Sequence, residues 1–353
     1  MPIELRRLRA LRLAWGVALC LAVSFGIGLP VPILAPVFAV LLLAMRSQPL
    51  PLRAAPALAL LVLLACGSGL LLIPLLRHAP LAGVLLVGVG VFLTLRYALK
   101  GGNGLLANLL VVGLTMIAAA GTSDFTLALS VVEALAKGML LAVLGTSVVH
   151  TLFPEPANAP APPVPPLLGS EHVSWVALRA TLIVMPAFLL ALIAPDQYMP
   201  LIMKAVSVGQ QAGETRARHA SRELIGSTLL AGVLAIALWV ALSLFVHLWM
   251  FFLWVLLFAL WQARRLYQAV PSRQSPAYWV SCLTTMLILL GQSVQDSAGG
   301  QDVYKAFAVR MALFLAVSVY ASAMLIWIDR LRSRRKCQIF CVRAGNGLPS
   351  GRP

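Results

Sequence analysis

Long blocks of apolar residues, separated by short polar or charged stretches, dominate the chain. The longer blocks hold about 15–22 residues, and a helix needs about 20 to cross a hydrocarbon core of roughly 30 Å. Strand-like alternation is absent, and a backbone in lipid must satisfy its own hydrogen bonds, so the blocks predict helices. The apolar segments lie at 13–29, 33–44, 57–76, 81–95, 105–120, 131–152, 176–194, 199–208, 224–245, 248–261, 278–291 and 306–328.

Composition agrees with this pattern. Hydrophobic residues make up 61% of the 353 residues and charged residues 11%, whereas a typical soluble domain has about 25% charged residues. We therefore predict an all-α polytopic membrane protein with about 10–12 transmembrane or half-spanning helices. The first apolar segment has no convincing small-residue cleavage site, so we expect no removable signal peptide.

A proline-rich stretch divides the apolar segments into two groups of six. Its centre reads Pro-Ala-Pro-Pro-Val-Pro-Pro, which favours an extended linker because proline cannot continue a helix. In each half the second segment is short and follows prolines. We predict a first membrane repeat at 1–153, a proline-rich cytoplasmic linker at 154–172, a second membrane repeat at 173–332 and a disordered basic cytoplasmic tail at 333–353.

Cations recur between the halves at an offset of 167–169 positions. Such a match is unlikely by chance in a chain with so few charges. An even number of segments in each half predicts two parallel pseudo-repeats, related by an axis along the membrane normal. The matched cations are Arg12 with Arg179, Arg53 with Arg222, Arg96 with Arg264, and Lys137 with Lys305.

The placement of positive charge predicts the orientation. The net charge is +16, and Lys and Arg cluster before the first segment, in alternate loops and in the tail. Loops that stay in the cytoplasm carry such an excess of cations. We predict a multi-pass protein of a bacterial inner (plasma) membrane with both termini cytoplasmic. The charge is assigned to topology and to contact with the lipid bilayer, and nucleic acid is not expected as a partner.

The common motifs of catalysis are missing from the sequence. It contains no Gly-x-x-x-x-Gly-Lys-Ser/Thr loop for phosphates, no His-Glu-x-x-His helix for zinc and no Gly-x-Ser-x-Gly turn. Cys337 and Cys341 lack the second ligand pair of a zinc site. We expect no enzyme activity, no catalytic residue, no cofactor and no metal.

Lys204 is the sharpest candidate for a substrate contact. It falls inside a short segment just after Pro200. An ionisable residue at membrane depth marks either a pathway or a satisfied internal pair. A cation there could bind a carboxylate strongly because the dielectric constant is low. The alternative is a lysine that snorkels to one face of the membrane.

Other ionisable residues extend the candidate set. Glu133 and Lys137 have the i, i+4 spacing of an intrahelical ion pair, so we predict a structural pair. A proton relay is the alternative. With Asp196 they are the candidates for proton coupling. Arg310 has no acidic partner in its own helix, so its alternatives are Asp302, Asp296 or a substrate path. With Lys204 and Arg222 it is a candidate for substrate binding.

The stretch that follows the short segment of the second half carries a family resemblance. A basic loop leads to Arg222, then to Gly226, Ser227 and Thr228, and then to a long helix that contains glycine. This order resembles the second module of the fusaric acid resistance and aromatic acid exporter superfamily. Small residues of this kind let membrane helices approach closely, so these three residues are assigned to a structural motif.

The first half resembles the amino-terminal entry of that superfamily in Arg12-Leu-Ala-Trp and Gly26-Ile-Gly-Leu-Pro. Two departures are evident. Larger members carry a sizeable cytosolic domain, which a linker replaces here. The first half also lacks the Arg-x-x-x-Gly-Ser/Thr signature, because Ala57 stands at the glycine position after Arg53. The chain therefore resembles a compact, membrane-only relative, of the kind often left without an assigned function.

The favoured function is a secondary transporter that exports small amphipathic or aromatic organic anions and is driven by protons. The resemblance implies a periplasmic adaptor of the membrane-fusion type as a partner, and a homo-oligomer is considered as well. The alternative is a scaffold or accessory protein of a cell-envelope complex that transports nothing. A membrane-embedded enzyme ranks third because the sequence contains no catalytic constellation.

The orientation is directly testable. Alkaline phosphatase fused after Arg335, or separately after Arg46, should be inactive because both positions are expected in the cytoplasm. Strong phosphatase activity of either fusion in intact cells would contradict the predicted topology.

Overall fold

A computed structural model describes residues 3–45, 55–155, 170–211, 217–244, 247–300 and 302–345. All regular structure in these ranges is helical, and ten of the helices are long and apolar enough to cross a membrane. The predicted all-α polytopic membrane fold is confirmed. The helices are α1 Ile3–Gly26, α2 Leu34–Met45, α3 Ala55–His78, α4 Pro80–Leu99, α5 Gly104–Val112, α6 Ala118–Ser123, α7 Phe125–Leu152, α8 Ser170–Ile193, α9 Pro195–Gln211, α10 Ala217–Leu244, α11 Leu248–Leu266, α12 Pro276–Ala298 and α13 Val303–Gly345.

Short polar residues cap the helices where the chain turns. Asn103 accepts the backbone N–H of Leu105 at the start of α5, and Ser275 accepts that of Tyr278 at the start of α12. Asp124 lies outside the spans and caps α7. Hydrogen bonds from the hydroxyl and backbone N–H of Thr126 hold the pKa of Asp124 below its usual value. These caps satisfy N–H groups that a helix start leaves without partners.

Although α2 is short, it connects the two ends of the helix bundle. Near its start, the Gln295 side chain donates to the Pro30 carbonyl at 3.5 Å. Near its end, the Tyr267 hydroxyl donates to the Leu43 carbonyl at 3.1 Å. Gln295 lies near the end of α12 and Tyr267 precedes α12. The two helices are therefore antiparallel, and the second segment of the first half crosses rather than re-enters.

The first half of the chain begins and finishes at the same end of the bundle, which we call the N-terminal end. Arg9 Nε donates to Glu155 Oε1 at 2.9 Å, and Arg12 Nη1 donates to Glu155 Oε2 at 3.0 Å. Glu155 follows α7, so the path from α1 to the end of α7 contains an even number of crossings. The second half therefore starts on the same side as the first, which is the arrangement of parallel repeats.

The first helix of each half packs against a helix of the opposite half as well as against its own half. α1 lies along α11, and α8 correspondingly lies along α4. Between α1 and α11, the Trp15 and Phe252 rings lie 5.4 Å apart and the Phe25 and Phe251 rings 5.3 Å apart, both edge to face. Such aromatic pairs add to the energy of apolar packing. The halves therefore share their apolar cores.

The structure supports only part of the predicted match between cations. Arg12 and Arg179 are both buried, in α1 and α8. Arg96 and Arg264 both lie in the last turn of their helices, α4 and α11. The fourth match differs, because Lys137 lies in the middle of α7 and Lys305 in the first turn of α13. The remaining match includes Arg53, which lies outside the described residues.

Two of the predicted domain boundaries, at the linker and at the tail, can be compared with the structure. Residues 156–169, which hold most of the proline-rich linker, lie outside the described residues. At the other end of the second half, α13 continues as a helix to Gly345, through part of the stretch assigned to a disordered tail. The sequence from Asp329 to Ala344 contains neither proline nor glycine, so nothing local ends the helix earlier.

A π-helical turn at Gly113–Ile117 joins α5 to α6, where the sequence predicted one uninterrupted segment. This turn packs closely against α3. A Cβ atom on Gly69 would lie 2.1 Å from the Gly113 carbonyl oxygen, and one on Gly113 would lie 2.4 Å from the Ala65 carbonyl oxygen. Only glycine fits at either position without a backbone shift, so the pair sets the distance between the two elements.

Replacement of Gly69 by Ala should lower the stability of the protein by about 1–3 kcal/mol, because the added methyl group overpacks a backbone contact. Thermal unfolding of the purified protein in detergent measures this loss. Gly67→Ala is the matched control, since nothing lies within 4 Å of a Cβ atom at this position of the same helix. Equal melting temperatures for the two variants would contradict the proposed role of Gly69.

Candidate functional site

Lys204 lies on α9 and is buried inside the second half of the bundle, with 1% of its surface exposed. α9 packs against α8, α12 and α13. It is shorter than the spanning helices and more polar, and does not reach the length and hydropathy of a candidate span. The side chain therefore faces neighbouring helices, and the alternative of a lysine that snorkels to the surface does not describe its position.

Two hydroxyl groups of α12 accept hydrogen bonds from the Lys204 ammonium group. Its Nζ atom donates to Thr285 Oγ1 at 2.7 Å and lies 3.4 Å from Ser281 Oγ. Ser281 and Thr285 are four residues apart, which places them on one face of the helix. The Thr285 hydroxyl donates its own proton to the Ser281 carbonyl at 2.7 Å, so its oxygen is free to accept from Lys204.

More hydroxyl groups continue this polar layer across α10 and α13. Ser227 Oγ lies 3.4 Å from Ser281 Oγ, and Thr228 Oγ1 lies 2.9 Å from Ser318 Oγ. All four side chains are buried. We call Lys204 and these hydroxyl residues the Lys204 cluster; its members are Lys204, Ser227, Thr228, Ser281, Thr285 and Ser318.

Lys204 is the one ionisable residue of the Lys204 cluster. Among the described side chains, no carboxylate lies within ion-pair distance of the Lys204 ammonium group. A buried charge with neutral partners alone is costly, because hydroxyl groups do not replace the hydration that the charge has lost. An anion at this position would pair with the Lys204 ammonium group, while the cluster hydroxyl groups of Ser227, Thr228, Thr285 and Ser318 donate to backbone carbonyls. The arrangement can therefore bind a carboxylate.

The structural motif assigned from the family resemblance divides between two locations. Ser227 and Thr228 belong to the Lys204 cluster. Arg222, which precedes the motif and is a sequence-based candidate for substrate binding, is exposed near the start of α10 and lies outside the cluster. A Cβ atom on Gly226 would lie 3.4 Å from the Tyr278 ring, which is an ordinary contact. Gly226 is therefore not required for close helix approach.

Arg310 faces Asp296, one of the partners that the sequence left open. The guanidinium group of Arg310 donates two hydrogen bonds to the Asp296 carboxylate, and the Nη2–Oδ1 distance is 2.8 Å. Asp296 lies near the end of α12 and Arg310 in the second turn of α13, so the pair lies towards the opposite end of the bundle and joins these helices. It does not belong to the Lys204 cluster.

The three candidates for proton coupling are not brought together. Glu133 and Lys137 form an ion pair at 2.5 Å on α7, with 56% and 52% of their side chains exposed. α7 packs against α1, α2, α3 and α6, and does not line the Lys204 cluster. Asp196 lies in the first turn of α9, and its side chain is outside the described part.

Reading the sequence did not identify Ser281, Thr285 and Ser318 as site residues. Their signal is a spacing of four residues between hydroxyl groups in apolar helices, which Ser281 and Thr285 show on α12 and Ser318 and Ser322 on α13. Hydroxyl groups in membrane helices often bond only to the carbonyl four residues earlier. The spacing alone therefore does not show which helix carries the lysine that they face.

Comparison with known proteins adds one similarity. Residues 9–149 match the family described as "Protein of unknown function (DUF2955)". The match runs from the start of α1 to near the end of α7 and thus covers most of the first half. Neither a curated protein nor a solved structure matches the chain. The resemblance to the fusaric acid resistance superfamily receives no support from these comparisons.

A double-mutant cycle tests whether Asp296 and Arg310 are structural partners. Asp296→Asn and Arg310→Met should each lower stability by about 1–3 kcal/mol, because each leaves a largely buried charged group without its partner. The double variant should lose clearly less than the sum of the two, as measured by thermal unfolding in detergent. Additive losses would mean that the two residues act independently.

Proposed function

We propose that this membrane protein is a secondary transporter which exports small amphipathic or aromatic organic anions from the cytoplasm. In this proposal it resides in a bacterial inner membrane with both termini in the cytoplasm. The observation that carries the proposal is the Lys204 cluster, where a buried ammonium group has only hydroxyl partners among the described residues. The substrate carboxylate is the counter-ion that this group lacks.

The surroundings of Lys204 suit an anion with an apolar body. Leu201 and Ala205 flank it on α9, and Cys282 and Leu283 lie beside Ser281 on α12; all four are buried. Apolar walls with a few polar groups are typical of sites for small organic ligands. The walls would hold a ring or alkyl chain, and the ammonium group would fix the carboxylate.

Location within the bundle also favours transport. Ser281 is near the start of α12 and Ser227 lies eleven residues into α10, so the Lys204 cluster lies inside the span, on the side of the N-terminal end. The short helix α9 supplies the charge. Transporters often place substrate sites near the bilayer midplane on short or interrupted helices of repeated halves.

Coupling and partners are the finer part of the proposal. Asp196 lies eight residues before Lys204, about 12 Å along the helix axis, and is the candidate for proton coupling nearest to it on α9. A periplasmic adaptor of the membrane-fusion type would carry the exported anion past the outer membrane. The proposal includes no enzyme activity and no cofactor.

A Lys204→Met variant tests the substrate contact. A strain that lacks the gene is first screened against aromatic carboxylates, dyes and detergents, and the wild-type gene is restored to identify a protected condition. In the Lys204→Met variant, the tolerated concentration of the protected compound should fall at least tenfold relative to wild type. The reason is that the charge which pairs with the substrate carboxylate is lost, while the length and apolarity of the side chain are kept. Lys204→Arg keeps the charge in a different shape and should protect partially.

Lys305→Met is the matched control. Lys305 is 87% exposed in the first turn of α13, so this loss of a lysine should leave protection intact. Membrane levels of each variant are measured in parallel to separate loss of function from loss of protein. Full protection by Lys204→Met would remove Lys204 as the substrate contact. If deletion of the gene leaves the tolerance to every tested anion unchanged, the scaffold function explains the protein better.

A further inference from the structure

One face of α7 points away from the rest of the bundle. Exposed side chains recur along it every three or four residues, as expected for a single stripe on a helix. Most of these side chains are aliphatic and suit contact with lipid, but two charged residues interrupt them. The stripe, which we call the outer face of α7, consists of Leu129, Glu133, Lys137, Leu140, Leu144 and Val148.

The two charges lie deep within the span. α7 has 28 residues, which corresponds to about 42 Å, compared with a hydrocarbon core of roughly 30 Å. Lys137 is about 2 Å and Glu133 about 8 Å from the helix midpoint along the axis. A lysine side chain cannot carry its ammonium group from the midpoint to the membrane surface, so snorkelling does not remove the charge from the core.

No other described side chain in a spanning helix combines charge, exposure and this depth. The remaining exposed charged residues of the spans lie in the first or last two turns, as Arg77 and Lys305 do, or beyond the apolar part of the helix, as Arg330 does. Lys204, near the middle of α9, is not exposed, because its side chain is buried against α12. The outer face of α7 is therefore the one described place where this fold would present an ion pair to lipid.

We propose that the outer face of α7 binds the same face of a second copy of this chain, so that the protein is a homodimer in the membrane. Two copies with the same orientation can be related by a two-fold axis along the membrane normal. This axis places two α7 helices side by side and parallel. Equivalent residues of the two copies then lie at the same depth, and Glu133 of each copy is offset by about 6 Å along the axis from Lys137 of the other. A lysine side chain spans that offset, so the ion pairs between the copies are enclosed by protein.

Charge complementarity selects a second copy as the occupant. Lipid tails offer neither charge nor hydrogen bonds to Glu133 and Lys137, and exposed ionisable residues at this depth are costly. A different protein would have to supply both a cation and an anion at matching depths. The chain itself supplies both, four residues apart and already paired at 2.5 Å. The aliphatic side chains on either side of the pair would complete the contact.

Charge reversal provides a specific test. Two copies with different tags are co-expressed, extracted and placed in nanodiscs large enough for a dimer, and co-purification is measured. Glu133→Lys alone, or Lys137→Glu alone, puts four like charges at the contact and should reduce co-purification at least tenfold. A mixture of a Glu133→Lys copy with a Lys137→Glu copy restores opposite charges and should recover association, as a heterodimer only.

A matched control uses the exposed ion pair between Lys305 and Asp302, in the first turn of α13 and just before it. Asp302→Lys and Lys305→Glu should each leave association unchanged. Because charge reversal inside a span could prevent insertion, a Glu133→Leu/Lys137→Leu double variant is measured as well. It should insert and fold, and its dimer dissociation constant should rise about tenfold or more.

Four results would overturn the proposal. The wild-type protein could be a monomer in nanodiscs, as judged by mass. The double leucine variant could associate as tightly as wild type, which would show that the charges hold no interface. Single charge-reversal variants could insert and self-associate normally, or the outer face could crosslink only to a protein of different sequence. Each of these results excludes a second copy at the outer face of α7.

Discussion

A hydrocarbon core offers no hydrogen bonds and no hydration, so every charge that enters it needs a partner inside the protein. This constraint determines where polar and charged groups lie in the fold. Backbone groups are satisfied within helices, and most buried hydroxyl groups donate to a carbonyl three or four residues earlier, as Ser24 and Thr115 do. Charged residues are found mainly at the helix ends, where water or an opposite charge is available. The few that are not at the ends require separate explanations.

The buried charged residues differ in how their charge is satisfied. Arg310 is neutralised by Asp296, and Arg12 and Arg9 share Glu155. These pairs join separate helices and are structural. Lys204 has hydroxyl partners alone among the described residues, so the protein has built a place for a charge without its counter-charge. This difference, rather than burial as such, separates Lys204 from the structural ion pairs.

The fold class follows from the sequence because segment length and apolarity are set directly by the membrane. Lys204 stood out for the same reason, since a charge inside an apolar segment is rare. Partners could not be predicted, because a side chain that faces lipid and one that faces another helix can be equally apolar. Hydropathy therefore contained no sign that α1 packs along α11, or that Arg310 meets Asp296 rather than Asp302. Nor did it predict the π-helical turn, which depends on the contact between Gly69 and Gly113.

The helices of the two halves can be paired in chain order, but paired helices carry different polar residues. α2 occupies the place in the first half that α9 occupies in the second, yet it contains no charged residue. The counterpart of α12 in the first half is α5 with its π-helical turn, which is packed tightly onto α3 through glycine. A contact that close leaves no room for a side chain between α3 and the π-helical turn. In the second half, by contrast, α9, α10, α12 and α13 surround Lys204 and its hydroxyl partners.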